Sequence, residues 1–278
     1  MTRAFWANWG SGNSRTSRPA CYHPRFVRQC RDEAYVLGTS ELGEADLIVT
    51  LLAEHHGRVR GVGASARKSR RRFGGALSPM TRVTASWVER EGRELHRIES
   101  LEPVRSFDAM QSDPACQAAC AVLSEITSAV VRDEQPEHAT FRLLGAVLTA
   151  LEGGLHPWLA VRYAEYWTLK LHGVLPDLSH CGVCGEPFAE SGGRWAVGGG
   201  GFFCRGCPKP PGAVAFRSGD LAALAAFDKN PPHALGLPEE VARPTGALEK
   251  LLRGSVEAFA ERTFRSYRHL RAAHVGRA

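Results

Sequence analysis

No run of about eighteen apolar residues occurs in the 278-residue chain, so no helical membrane span is expected. The opening segment, MTRAFWANWGSGNSRTSRPACYHPRF, is basic but lacks the roughly seven- to fifteen-residue apolar stretch of a secretory signal. With these two absences the protein is expected to stay in the cytoplasm. Three catalytic signatures are missing as well: there is no GxxxxGK[ST] phosphate loop, no GxSxG elbow and no HExxH pair. The usual marks of an ATPase, a serine hydrolase and a metalloprotease are therefore lacking, which favours a binding protein over an enzyme. His55, His56, Glu41, Glu44 and Asp46 are acid–base candidates on paper, with polar strand and turn residues as the simpler reading. A nuclease of unfamiliar type stays open as the alternative.

Hydrophobic content of 44% and charged content of 23% are those of a globular chain. Lysine is scarce, since only five of the 35 basic residues are Lys, and the net charge of +6 is carried almost wholly by arginine. Its distribution is uneven. Residues 1–107 hold 18 Lys and Arg against 11 Asp and Glu, whereas 108–278 hold 17 against 18. Such asymmetry suggests that the first part meets a polyanion, although arginine-biased usage would give part of the same excess.

The texture changes along the chain. Residues 1–31 are rich in Ser, Arg, Gly and Asn without apolar period and read as a disordered leader. From 32 to 107 come short β-prone runs, AYVLGTS, DLIVTLLAE, GRVRGVGAS, TRVTASWVE and ELHRIESLEPV, separated by Gly and polar turns. Five such strands suit a small closed barrel of the OB-fold kind, which removes exposed sheet edges. By composition alone DLIVTLLAEHHG could instead be a helix. Residues 108–178 switch to spacings of three and four, with Asp113-Pro114 as a helix start and Gly153-Gly154 and Gly173 as stops. An irregular insertion fills 179–212, and helical spacing returns over 213–278 as a shorter helix and one long C-terminal helix, GALEKLLRGSVEAFAERTFRSYRHLRAA. The expected class is thus α+β and multi-domain: an OB-fold barrel, then a helical bundle interrupted by a cysteine ribbon.

Eight cysteines are present, and four form the pairs Cys181-Gly-Val-Cys184 and Cys204-Arg-Gly-Cys207, 19 residues apart. That spacing fits a four-thiolate zinc site. Two intervening residues let one turn aim both sulfurs at a single ion, and four protein ligands leave no open position, so the ion would be structural. A redox pair or four free thiols are the rival readings, and His180 is a candidate substitute ligand. Cys116 and Cys120, one helical turn apart, read as small core residues.

Between Arg58 and Arg72 stand seven cations with no acid among them: Arg58, Arg60, Arg67, Lys68, Arg70, Arg71 and Arg72. Long basic side chains on a strand and its following loop can reach successive phosphates and bind nucleic acid with little sequence preference. The bland alternative is a solvated face. Phe73 and Trp87 would serve either as base-stacking platforms or as core.

The order of these features resembles the RecO family. Glu33-Ala-Tyr-Val-Leu37 with Glu41-Leu-Gly-Glu44-Ala-Asp46 looks like its first strand and turn, and Gly63, Ala66-Arg67-Lys68-Ser69 and Leu77-Ser-Pro79 look like the following loop and strand start. The cysteine ribbon with Trp195, Phe202 and Phe203, and the closing Phe264-Arg265-Ser266-Tyr267-Arg268, are similar to the family's as well. Met80 stands where an aromatic is more usual, and Arg265 where Lys is. The resemblance implies a non-catalytic mediator that binds single- and double-stranded DNA, anneals strands, and works with RecR and single-stranded-DNA-binding protein to load RecA. It also implies a location in the bacterial cytoplasm, at the nucleoid when on DNA. A zinc-ribbon scaffold that binds only proteins is the third reading.

Overall fold

A computed structural model describes residues 27–90, 92–107, 110, 112–175, 177, 179–187, 193–196, 201–208, 211–236 and 246–275. Five strands come first: β1 (Val27–Leu42), β2 (Asp46–Ala53), β3 (Gly57–Gly63), β4 (Arg82–Arg90) and β5 (His96–Arg105). The first half of β1 pairs with β4 and its second half with β2, both antiparallel. β3 meets β5 in parallel, which closes the ring in the order β1-β2-β3-β5-β4. Alternation explains the strands. In β2, Leu47, Val49 and Leu51 are buried while Asp46, Ile48 and Thr50 are only partly so, so its period is two and the helical alternative is excluded. A short helix, α1 (Arg70–Phe73), and a 3-10 turn over Gly74–Leu77 connect β3 to β4. Through them Phe73 and Ala76 enter the barrel core beside Trp87, Val59 and Ile98.

The leader was expected to run to residue 31, but β1 is already paired at Val27, opposite Arg90. Cys30 and Asp32 point inward and are buried, which is why these polar-looking residues belong to the strand. Residues 1–26, including Cys21, lie outside the described residues.

Among the described residues six further α-helices follow: α2 (Pro114–Val130), α3 (His138–Glu152), α4 (Pro157–Leu171), α5 (Ser218–Lys229), α6 (Ala247–Phe259) and α7 (Tyr267–Val275). Asp113 caps α2 by accepting the Ala115 N–H, with Pro114 in the first turn where its missing donor costs nothing. α4 is buried along nearly its whole length and forms the centre of the bundle. The single long C-terminal helix expected from sequence is two helices. Glu261 adopts φ +52, and the Glu125 carboxylate of α2 accepts the backbone N–H groups of Arg265 (3.1 Å) and Ser266 (2.9 Å), satisfying orphan donors at the start of α7. No Gly or Pro marks this break.

Between α4 and α5 lies the ribbon, with strands β6 (Arg194–Ala196), β7 (Gly201–Phe203) and β8 (Val214–Ala215) in the order β7-β6-β8. Its third strand falls past the expected boundary at 212, because β8 must return to pair with β6. Trp195, Phe202 and Phe216 pack against one another and join the same core as the helices.

At the heart of the bundle Arg162 and Glu165 are fully buried and paired at 2.8 Å, and Tyr267 donates its hydroxyl hydrogen bond to Glu165. Burial pushes the Glu165 carboxyl up to about 7 against the pull of Arg162. A carboxyl raised on folding binds more protons in the native state, so stability falls as pH rises from about 4.5 toward about 7. Urea denaturation across this range should show that slope, and Glu165→Gln should flatten it; an equal slope in the variant would refute the assignment.

Candidate metal centre and nucleic-acid interface

The two CxxC turns face each other across the ribbon. One donor atom from each of Cys181, Cys184, Cys204 and Cys207 lies within 4.8 Å of the other three, and the Cys184 and Cys204 sulfurs are 3.9 Å apart. Four sulfurs around one ion at bonds of about 2.3 Å would sit about 3.8 Å apart, so the set is close to that size. Backbone bonds hold it: Gly182 N–H donates to Phe202 O (2.8 Å), Cys181 N–H to Glu186 O (2.9 Å) and Gly185 N–H to Cys181 O (2.9 Å). Backbone N–H groups of Cys184 and Cys204 point at the Cys181 sulfur and lower its thiol to about 6. Cys207 is pushed up to about 12, first by its contact with Cys204 and then by that with Cys184. A cation bound among such thiols favours their ionised forms. His180 stands apart, exposed and bonded through Nδ1 to Asp177 (3.1 Å).

The seven cations do not form one group. Arg58 turns toward the helices: Nε and Nη2 grip the Asp133 carboxylate (2.5 and 2.9 Å) and Nη1 donates to Ser128 O. Its backbone bonds there too, with Arg58 N–H donating to Arg132 O (3.0 Å) and Glu134 N–H to Arg58 O (3.3 Å). Arg72 folds back on its own loop, donating to Ala64 O and Ser69 Oγ and lying over the Phe73 ring. Arg67 is exposed and pairs with Glu41. Arg60 on β3 and Lys68 in the loop are exposed. The side chains of Arg70 and Arg71 lie outside the described residues, although their backbone forms the start of α1.

Phe73 and Trp87 are buried at 1% and 0% exposure, so neither can stack on a base. Arg97 was not singled out from sequence. It sits on β5 opposite Val62 of β3, which places it on the same outer face as Arg60. The period-two pattern of HRIES, with His96 and Ile98 buried, was the signal that could have found it. Two of the carboxylates weighed for acid–base roles have structural partners, Glu41 holding Arg67 and Asp46 accepting the Ser65 N–H at 2.7 Å, while at Glu44 it is the backbone carbonyl that accepts from Arg67. His55 and His56 both bond through Nδ1 to the buried Asp32, each at 2.9 Å.

Comparisons with known proteins agree on one family. The model for the Recombination protein O N terminal region matches residues 27–107, and that for the Recombination protein O C terminal region matches 111–268. Similar curated proteins are named DNA repair protein RecO. One from Anaeromyxobacter dehalogenans (strain 2CP-C) is 37% identical over 81% of this chain and 88% of its own length. One from Anaeromyxobacter sp. (strain K) is 40% identical over 68% and 75%, and one from Koribacter versatilis 42% over 56% and 64%. The matched N-terminal region holds 14 Lys and Arg against 11 Asp and Glu, so more than half of the excess charge seen in 1–107 belongs to residues 1–26.

Arg58 is a clamp between barrel and helices on this geometry. Arg58→Ala and Asp133→Ala should each destabilise the fold, and the double variant should cost less than their sum by about 1 kcal/mol, since the pair is partly exposed. Denaturant midpoints in a double-mutant cycle measure this, and a coupling near zero would deny the clamp.

Proposed function

Since this chain belongs to the RecO family, we propose that it is a non-catalytic DNA-binding protein of bacterial DNA repair. In this reading it anneals complementary single strands and, with RecR and single-stranded-DNA-binding protein, helps load the RecA recombinase in the cytoplasm. The observation that carries the reading is the barrel's outer face, where the exposed Arg60 and Arg97 sit on adjoining strands. The strand order and the helix between β3 and β4 suit an OB-fold, whose surfaces bind single strands. Arginines on that face would neutralise the phosphates of either strand and lower the repulsion that opposes annealing. No bond is made or broken in the proposed activity. Among the described residues no helix is long and apolar enough to cross a membrane.

Arg58 and Arg72, engaged within the fold, are assigned to structure, and Arg60, Arg67, Lys68, Arg70 and Arg71 with Arg97 to DNA. Fluorescence anisotropy with a labelled oligonucleotide tests the division. Arg60→Ala, Lys68→Ala and Arg97→Ala should each weaken binding and lower the slope of log K against log salt by about 1, independently of sequence. Unchanged slopes in all three would overturn the assignment, and magnesium-dependent strand cleavage would replace a mediator by a nuclease.

The four thiols are proposed to hold one structural Zn2+. Their donor set is soft and complete, so the ion would close the ribbon and offer no position to water. Metal analysis of protein purified without chelator should give one zinc per chain, and Cys184→Ser should lower it. Less than half an equivalent, with four free thiols, would remove the claim.

A further inference from the structure

A second set of ligand-bearing side chains lies at the junction of barrel and bundle, far in sequence from the cysteines. Glu54 and His55 occupy the turn between β2 and β3, and His138 is the first residue of α3. One donor atom from each lies within 4.8 Å of the other two. The two imidazole rings meet edge to face with centroids 5.2 Å apart, and both histidines are exposed. We propose that Glu54, His55 and His138 form a site for a divalent transition ion of the zinc class that bridges the barrel to the helical bundle.

Two features separate this set from a chance meeting of polar residues. The first is an oriented ligand. The Asp32 carboxylate, buried beneath the turn, accepts both the backbone N–H of His55 (2.7 Å) and its Nδ1–H (2.9 Å). Its proton then sits on Nδ1, and the lone pair of Nε2 is left for an ion. A carboxylate behind the far nitrogen is the usual way in which a protein fixes the tautomer and raises the basicity of a ligating histidine.

The second is preorganisation. Backbone hydrogen bonds, beside the Arg58–Asp133 pair, set the distance between His55 and His138. Glu54 N–H donates to Glu33 O (2.9 Å), pinning the turn to β1. Two residues on, β3 is bonded to the 132–134 segment, and Gly57 approaches so closely that a Cβ there would lie 1.9 Å from Gln135 O. That segment leads directly into α3 and His138. Bonds of about 2.1 Å to one ion would bring the donors to about 3.4 Å apart, so exposed side chains need shift only about 1 Å. Two imidazoles and one carboxylate leave a fourth position for water.

The test is calorimetric titration of the full chain with Zn2+ alone, at neutral pH, after the cysteine cluster has been loaded and free metal removed. The expected result is one further equivalent, and a raised thermal midpoint with that equivalent bound. His138→Ala and Glu54→Gln should each weaken it by more than about tenfold, a loss that changes behind a ligand can already produce. Both variants alter surface side chains, and unchanged midpoints without the added metal show that they are folded; if one fails, the other decides. No further equivalent, or one bound equally well by both variants, would overturn the proposal, the latter outcome sending the ion elsewhere, for instance to Cys30, His56 and Glu89.

Discussion

The ring of five strands turns on β1, whose sixteen residues pair with β4 over the first half and with β2 over the second. Its two halves cannot be straight continuations of each other. The register against β2 shifts between Val36 and Gly38, and this bulge bends the strand from one partner to the next. At the bend the strand's other face meets the helices. Tyr35 packs on Phe141, Ser124 donates to Leu37 O, and Gly145 of α3 leaves room for the Tyr35 hydroxyl, 2.6 Å from where a Cβ would stand. Tyr35 and Leu37 therefore belong to the core of the bundle, while Ala34 and Val36 belong to that of the barrel. One strand builds both.

The bundle solves a different problem, that of holding charge where water cannot reach. Arg162 lies against the Trp158 and Tyr267 rings and beside Glu165, and Arg253 and Arg271 pair with the buried Glu249 from the periphery. Such pairs contribute little net stability compared with a well-packed apolar replacement, but removing one partner leaves an uncompensated charge. Their effect is to specify how α4, α6 and α7 meet. The interrupted C-terminal helix follows from the same logic: Tyr267 reaches Glu165 only because the chain turns at Glu261, and Glu125 holds that turn.

The strands, most helices and the cysteine pairs were legible because each depends on local pattern: period two, spacings of three and four, a cap at Asp113, and CxxC turns. What was not legible depends on partners distant in sequence. The start of β1 at Val27 is set by pairing with Arg90, and the break after Phe259 by a carboxylate on α2. Arg58 reads like its basic neighbours until Asp133 is brought to it, and Arg97 reads like an ordinary surface residue until it is placed on the face that carries Arg60. Charge runs show where cations are frequent, not which of them face outward. For the histidines, the adjacent pair gave no hint that a buried Asp32 lay behind both.

The contact of Gly57 with Gln135 bears on how the two halves can move. A positive φ of +67 and the closeness of the Gln135 carbonyl leave that position to glycine, and the strand edge beside it is bonded to the 132–134 backbone. Backbone is bonded directly to backbone at this junction, which favours a fixed angle between barrel and helices over a hinge. Any strand of nucleic acid lying along the barrel would be carried at a fixed bearing and distance from whatever the ribbon or bundle grips. The molecule would then act on its partners as a rigid jig, setting their relative geometry by shape and not by swinging one to meet the other.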